Sequence, residues 1–291
     1  MKEASKAIIY TLLASFFWGT SFAAIAWGLK SLELDLYGFL FFRFLIAAVI
    51  AAAAVAVLAK CDFSSLKDGN IWVLGLMNGA AFTLQYMGQT RTDAGRAALL
   101  VNLNIVIVAV LSYFMFREKF TKVKAAAIPL AITGVFLLTT GGDFSGMERG
   151  ELIGDLCVFM AGAVWAFYIV MTKREIDRMG NRSPLGFLAG VMLVTTVVVA
   201  VPMAMLGSVP KASPETWLLI LYIAVFCTIL AFLFWFRGLR SLSSTASCII
   251  LLFEPVVAVV LSVWLLAEVF TVVSILGAVI ILIAIYLVAR G

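Results

Sequence analysis

VLSYFMFREKFT occupies residues 110–121, and VLSVWLLAEVFT occupies residues 260–271. Six of the twelve paired positions are identical, among them Glu118 with Glu268 and Thr121 with Thr271. The pair belongs to a longer register in which residues 86–141 align with 236–291 at a constant offset of 150 and without a gap. The earlier halves align more loosely, with Trp18 opposite Trp165 at an offset of 147. The chain is therefore built from two copies of one unit.

The unit lies in a membrane. Hydrophobic residues make up 64% of the 291 positions and charged residues 13%, with a mean hydropathy of +1.13. Soluble domains carry about 25% charged residues. A helix needs about 20 apolar residues to cross a bilayer, and strand-type spans would show alternation, which these unbroken runs lack. Cutting the sequence at charged, Pro/Gly and Asn/Asp/Ser clusters predicts ten spans. Five lie at 7–29, 37–59, 71–89, 97–116 and 124–140, and five at 152–172, 185–206, 216–236, 246–266 and 270–289. The expected organisation is a first five-helix repeat over 1–141, a linker loop over 142–150 and a second repeat over 151–291. The first span is longer than a signal-peptide core and is closely followed by another, so it reads as retained.

Five is odd, so the second copy must enter the membrane from the opposite side, and the repeat is inverted. With the N-terminus cytoplasmic, fifteen Lys and Arg fall on the inner side, five fall outside, and Arg43 lies within span two. That asymmetry places both termini in the cytoplasm. The quoted turns agree: REKFTKVK on the inner side is basic, while its outer copy AEVFTVVS has lost every basic residue. The expected fold is thus an all-α integral membrane protein with ten transmembrane helices in two inverted five-helix repeats. Such a repeat predicts a pseudo-two-fold axis in the membrane plane and a substrate site near the midplane.

FFWGTSF in span one, FFRFLIAAVI in span two, the helix ends FREKFT and LAEVFT, and FEPVVAVVLSVWLLAE in span nine together resemble the EamA family of the drug/metabolite transporter superfamily. The resemblance covers nearly the whole chain. It implies a ten-helix inverted-repeat transporter, commonly an exporter of amino acids or other small metabolites. It also implies a central cavity between two four-helix halves, with spans five and ten standing apart from it. Such proteins often carry proline in span four where this chain has Ile105. A hinge is therefore expected in span nine rather than in span four.

Polar residues within spans must face the bundle or a water-filled cavity, because lipid offers them no partner. Ser15, Trp18 and Ser21 follow at three-residue steps on one face of span one. Span three supplies Asn78, Gln85 and Tyr86, span four Asn102 and Asn104, and span six Trp165 and Tyr168. These read as a cavity with aromatic walls and a few amide and hydroxyl groups, suited to a small amphipathic solute. The competing reading, amides and hydroxyls joining helices, is open for Asn78, Gln85, Asn102 and Asn104 and is preferred for the serines and threonines. Glu118 and Glu268 sit at membrane edges before Thr121 and Thr271, which have the pattern of helix N-caps, so their expected role is structural.

Glu254 is the only acid deep in a span. It lies roughly 12 Å from the inner end of span nine, and its repeat partner is Asn104. An ionised carboxylate there costs about 2.5–3.5 kcal/mol, and protonation removes most of that. Glu254 is therefore either a proton carrier, coupling transport to the proton gradient, or a neutral hydrogen-bond donor that locks span nine. Arg43 lies roughly 9 Å below the outer end of span two, too far for an assumed contact with Glu254. Pro255 cannot donate to the Leu251 carbonyl and should bend the helix, making span nine a gate or fixing a static kink.

Other functions find little support. There is no P-loop, HExxH, nucleophile motif or histidine, so neither ATP drive nor intramembrane enzymology is expected. The four cysteines have no metal-like spacing, and neither cofactor nor metal is expected. The charge of +5 reflects topology rather than nucleic acid. The expected partners are a small-molecule substrate, the lipid bilayer and protons, with the chain a monomer or weak dimer in the cytoplasmic (inner) membrane. An uncoupled facilitator and a non-transporting receptor or assembly protein are the alternatives.

Overall fold

The computed structural model describes residues 2–58, 67–91, 94–142, 152–180, 183–209, 213–266 and 271–290. All their regular structure is helical. The first half comprises α1 (Lys2–Ser31), α2 (Leu36–Leu58), α3 (Gly69–Gln89), α4 (Ala94–Asn102), α5 (Asn104–Phe116) and α6 (Lys122–Thr140). The second comprises α7 (Leu152–Arg178), α8 (Pro184–Leu206), α9 (Pro214–Ala224), α10 (Ala231–Leu239), α11 (Ser244–Leu251), α12 (Phe253–Leu266) and α13 (Val272–Arg290). A π turn, Val225–Leu230, joins α9 to α10. Spans four, eight and nine are thus α4–α5, α9–α10 and α11–α12, and the other spans are single helices.

Nine of these spans are long and apolar enough to cross a bilayer among the described residues. The remaining one, α3, has 21 residues, enough length, but Asn70, Asn78, Gln85 and Gln89 dilute its apolar surface. It is held inside by packing on α7 and α8. Span six runs to Arg178, beyond the expected end at 172, because its last turns bury Glu175 and Ile176 against the body.

Side-chain caps stop the helices where the turn residues indicate. Thr121 accepts from the Lys124 amide at 3.3 Å and Thr271 from the Ser274 amide at 3.0 Å, as the paired turns suggest. Ser183 and Ser213 cap helices that open on proline. Gly141 and Gly207 end α6 and α8 at φ of 60° and 62°, a left-handed conformation that glycine adopts without strain. Glu118 Oε1 lies 2.6 Å from Lys124 Nζ, so it ties the span-four end to the next helix. Glu268 lies outside the described residues.

Packing follows the inverted two-fold. Span three packs on six as eight packs on one, span one on nine as six on four, and three on seven as eight on two. The pairs two–seven, four–nine and five–ten map onto themselves. Helices approach closely where small residues meet. A Cβ on Gly134 would fall 3.0 Å from the Gly277 carbonyl oxygen, and one on Gly19 would fall 2.6 Å from the Glu254 carbonyl oxygen.

Both span four and span nine are broken, at Leu103 and at Leu252, next to the repeat partners Asn104 and Glu254. Span four therefore breaks without the proline that marks the break in span nine. Ile105 replaces proline, yet Asn102 and Asn104 flank the break, and asparagine competes with helix by bonding nearby backbone groups. A Cβ on Gly162 would lie 2.9 Å from the Val101 carbonyl oxygen, so α7 also presses against this backbone.

Candidate functional site

A cavity of about 480 Å³ lies between the two halves where spans four and nine break. Of the residues singled out from sequence, Trp18, Ser21, Arg43, Gln85, Tyr86, Asn102, Asn104, Trp165, Tyr168, Glu254 and Pro255 all line it. Asn78 does not. It is fully buried between α3 and α8, where its Nδ2 donates to Thr195 Oγ1 at 3.0 Å, and Thr195 donates to the Gly75 carbonyl at 3.2 Å. Asn78 lies on the stripe that meets span seven, so helix packing is its role.

The walls are aromatic and interlocked. Trp165 donates from Nε1 to Gln85 Oε1 at 3.0 Å, which orients both side chains. Phe82 meets Trp165 edge-on at 4.9 Å, and Tyr168 stacks on Trp235 at 6.1 Å. Trp18 meets Phe232 and Trp235 edge-on at 5.2 and 5.9 Å. Trp235 is anchored in turn by Ser247 Oγ, which accepts from its Nε1 at 3.0 Å. Phe82, Phe232 and Trp235 were not among the sequence candidates. Extending the offset of 150 would have found Trp235, since it pairs with the candidate Gln85, and the same offset pairs Phe82 with Phe232.

At the span-nine break, the carbonyl of Leu251 loses its helical donor because Pro255 has no N–H. Ser15 Oγ donates to it instead, at 2.8 Å. Glu254 lines the cavity with no ion pair or hydrogen bond to another described residue. Its partner Asn104 accepts a weak bond from Cys248 Sγ at 3.6 Å. Among the described residues no group of His, Cys, Asp and Glu gathers that could hold a metal ion.

The cavity is lopsided along the helix axes. Its lining runs up α1 through Phe22, Ala26 and Leu29, and includes Gln89 of α3 and Thr139 of α6, all toward the ends away from the chain termini. Toward the termini it stops at Trp235, Tyr168 and Cys248. Beneath that floor Lys173 Nζ donates to the Leu239 carbonyl at 2.9 Å and to Asp177 Oδ1 at 2.8 Å, binding span six to span eight. Lys124 Nζ donates to Ser243 Oγ at 3.2 Å, joining span five to the start of span nine. Thr139 is the sole contributor from spans five and ten among the described residues, so that pair stands beside the cavity rather than around it.

Two inverted five-span halves enclosing an aromatic-walled cavity with a few polar groups define a multi-pass membrane transporter. The chain belongs to the EamA-like transporter family, whose profile matches residues 5–140 and again 152–290. An uncharacterized transporter of Archaeoglobus fulgidus is 24% identical over 91% of this chain and 90% of its own length. One of Clostridium kluyveri is 23% identical over 96% and 91%, and YdfC of Bacillus subtilis, also an uncharacterized transporter, is 27% identical over 90% and 84%. A solved crystal structure superimposes with a TM-score of 0.80 over 97% of this chain and 96% of that one, at 19% identity, which shows the shared fold.

Proposed function

We propose that the protein is a secondary transporter that exports a small amphipathic metabolite of the amino-acid type across the cytoplasmic membrane by alternating access. Both termini lie in the cytoplasm, residues 1–141 and 151–291 act as the two inverted halves joined by 142–150, and inward proton flow through Glu254 drives the cycle. The working unit is a monomer or weak dimer. The observation that carries this reading is Glu254, which lines a cavity of about 480 Å³ with no ion-pair partner among the described residues. That volume lies within the range of small-molecule sites, about 300–1,000 Å³. A carboxylate placed there must take up a proton or a cationic group, and if each excludes the other, the proton and the substrate move in opposite directions.

The lopsided cavity supports alternating access. Exchanging the halves converts the rim residues Ala26 and Gln89 into Lys173 and Leu239, at offsets of 147 and 150. These are the two residues that clasp below the floor. In the opposite state the clasp opens, and the counterparts on the other side close. The experiment is transport in sealed proteoliposomes with an imposed proton gradient, comparing wild type with Glu254→Gln. The variant should lose gradient-driven accumulation, and whatever solute counterflow it retains should be weaker and independent of pH. Accumulation undiminished in the variant would remove Glu254 from coupling, and a flux indifferent to the gradient in wild type would favour an uncoupled facilitator.

A further inference from the structure

Arg43 is a cation in α2, 2% exposed, and yet part of the cavity wall. Its guanidinium lies over two aromatic rings that meet edge-on, with Cζ 5.1 Å from the Phe44 centroid and 4.9 Å from that of Phe82. Its Nε donates to Thr228 Oγ1 at 3.0 Å. The Thr228 hydroxyl gives its own proton to the Ile223 carbonyl, five residues back, at 2.9 Å. That spacing is the one the π turn Val225–Leu230 provides. A hydroxyl that donates backward can only accept from the other side, so the turn presents a lone pair to Arg43 and settles which part of the guanidinium is occupied.

With Nε so engaged, Arg43 lines the cavity together with Tyr86, and its Nη groups are free of that bond. Among the described residues no carboxylate lies within ion-pair distance of them, including Glu254, the one acid that lines the cavity. A buried cation without a counter-anion is costly, and so is an unpartnered carboxylate in a membrane interior. Both residues line one cavity between aromatic walls. A small solute carrying a positive and a negative group would satisfy both at once, with the fork of the guanidinium matched to a carboxylate.

We propose that Arg43, aimed by Thr228 of the π turn, receives the carboxylate of a zwitterionic solute whose ammonium group lies toward Glu254. Thr228 is a positioning residue, since it acts through Arg43 and does not line the cavity. The proposal rests on the transport reading of the same cavity and adds the residue that receives the carboxylate and the orientation of what is carried.

The test is equilibrium binding to purified full-length protein with matched probes. Leucine and phenylalanine are each compared with the amine lacking the carboxylate (isoamylamine, phenethylamine) and with the acid lacking the ammonium (4-methylpentanoate, 3-phenylpropanoate). At least one amino acid should bind about tenfold more tightly than either truncated probe, the loss that one charge-assisted hydrogen bond accounts for. Arg43→Gln should weaken that amino acid about tenfold and leave the amine unchanged, with Arg43→Lys intermediate, because a point charge keeps the attraction and loses the fork. Thr228→Val should weaken the amino acid and spare the amine, while Glu254→Gln should spare the acid instead. The proposal is overturned if the amines bind as tightly as the amino acids, if Arg43→Gln weakens both kinds of probe equally, or if neither amino acid binds while vesicle transport of another solute persists. Protein that moves no solute at all would instead remove the transport reading beneath it.

Discussion

Replacing Ser15 by alanine removes the hydroxyl that meets the Leu251 carbonyl at 2.8 Å. That carbonyl has no helical donor, because the residue four positions on is Pro255, so the change leaves an unsatisfied acceptor between α1 and α11. Stranding a buried polar group costs about 1–3 kcal/mol in soluble proteins, whereas hydrogen bonds between membrane helices average about 0.6 and reach about 1.7 kcal/mol. With the Ser15 side chain fully buried, Ser15→Ala should destabilise the protein by about 1 kcal/mol. The background of Pro255→Ala distinguishes this cause from general loosening. Alanine restores an N–H at position 255 that can donate to Leu251, so the carbonyl no longer depends on Ser15. The four proteins of the cycle are unfolded reversibly in mixed micelles, and the coupling energy is read from the difference of differences. A value of about 0.5–1.5 kcal/mol is expected, with Ser15→Ala nearly neutral when Pro255 is absent. Equal destabilisation by Ser15→Ala in both backgrounds would refute the view that the serine exists to satisfy what the proline orphans.

Three further outcomes follow from the packing. Lys173→Met removes the clasp to Leu239 and should make Cys248, at the cavity floor, reactive toward a membrane-impermeant thiol reagent applied from the side of the chain termini; unchanged labelling would show that the clasp does not close the path. Asn78→Ala should lower stability by about 1 kcal/mol through loss of the bond to Thr195, with substrate affinity unaltered, and a selective loss of affinity would return Asn78 to the cavity. Gly19→Ala places a Cβ 2.6 Å from the Glu254 carbonyl oxygen, so span nine must shift at the cost of about 1–3 kcal/mol, measured by thermal unfolding, and transport should fall with it.

The sequence by itself determined the membrane class, the helical spans, the inversion of the second half and the register that pairs Asn104 with Glu254. These follow from local composition, the odd span number and identity at a fixed offset, none of which needs contacts to be known. The cavity aromatics Trp18, Trp165 and Tyr168 were also legible, because helical periodicity reveals which residues share a face. It does not reveal what that face meets. Asn78 and Gln85 are seven residues apart on one stripe of α3, yet Asn78 meets Thr195 of α8 and Gln85 meets Trp165 of α7 at the cavity. The break at Leu103 has no proline to announce it, and the π turn that aims Thr228 at Arg43 has no sequence signature of its own. Ser15 and Leu251 are 236 positions apart, and only helix packing brings the hydroxyl to the freed carbonyl. Tertiary structure decided these matters because a polar group in a membrane protein takes whatever partner the neighbouring helix supplies at its depth, and depth and neighbour are properties of the assembled bundle.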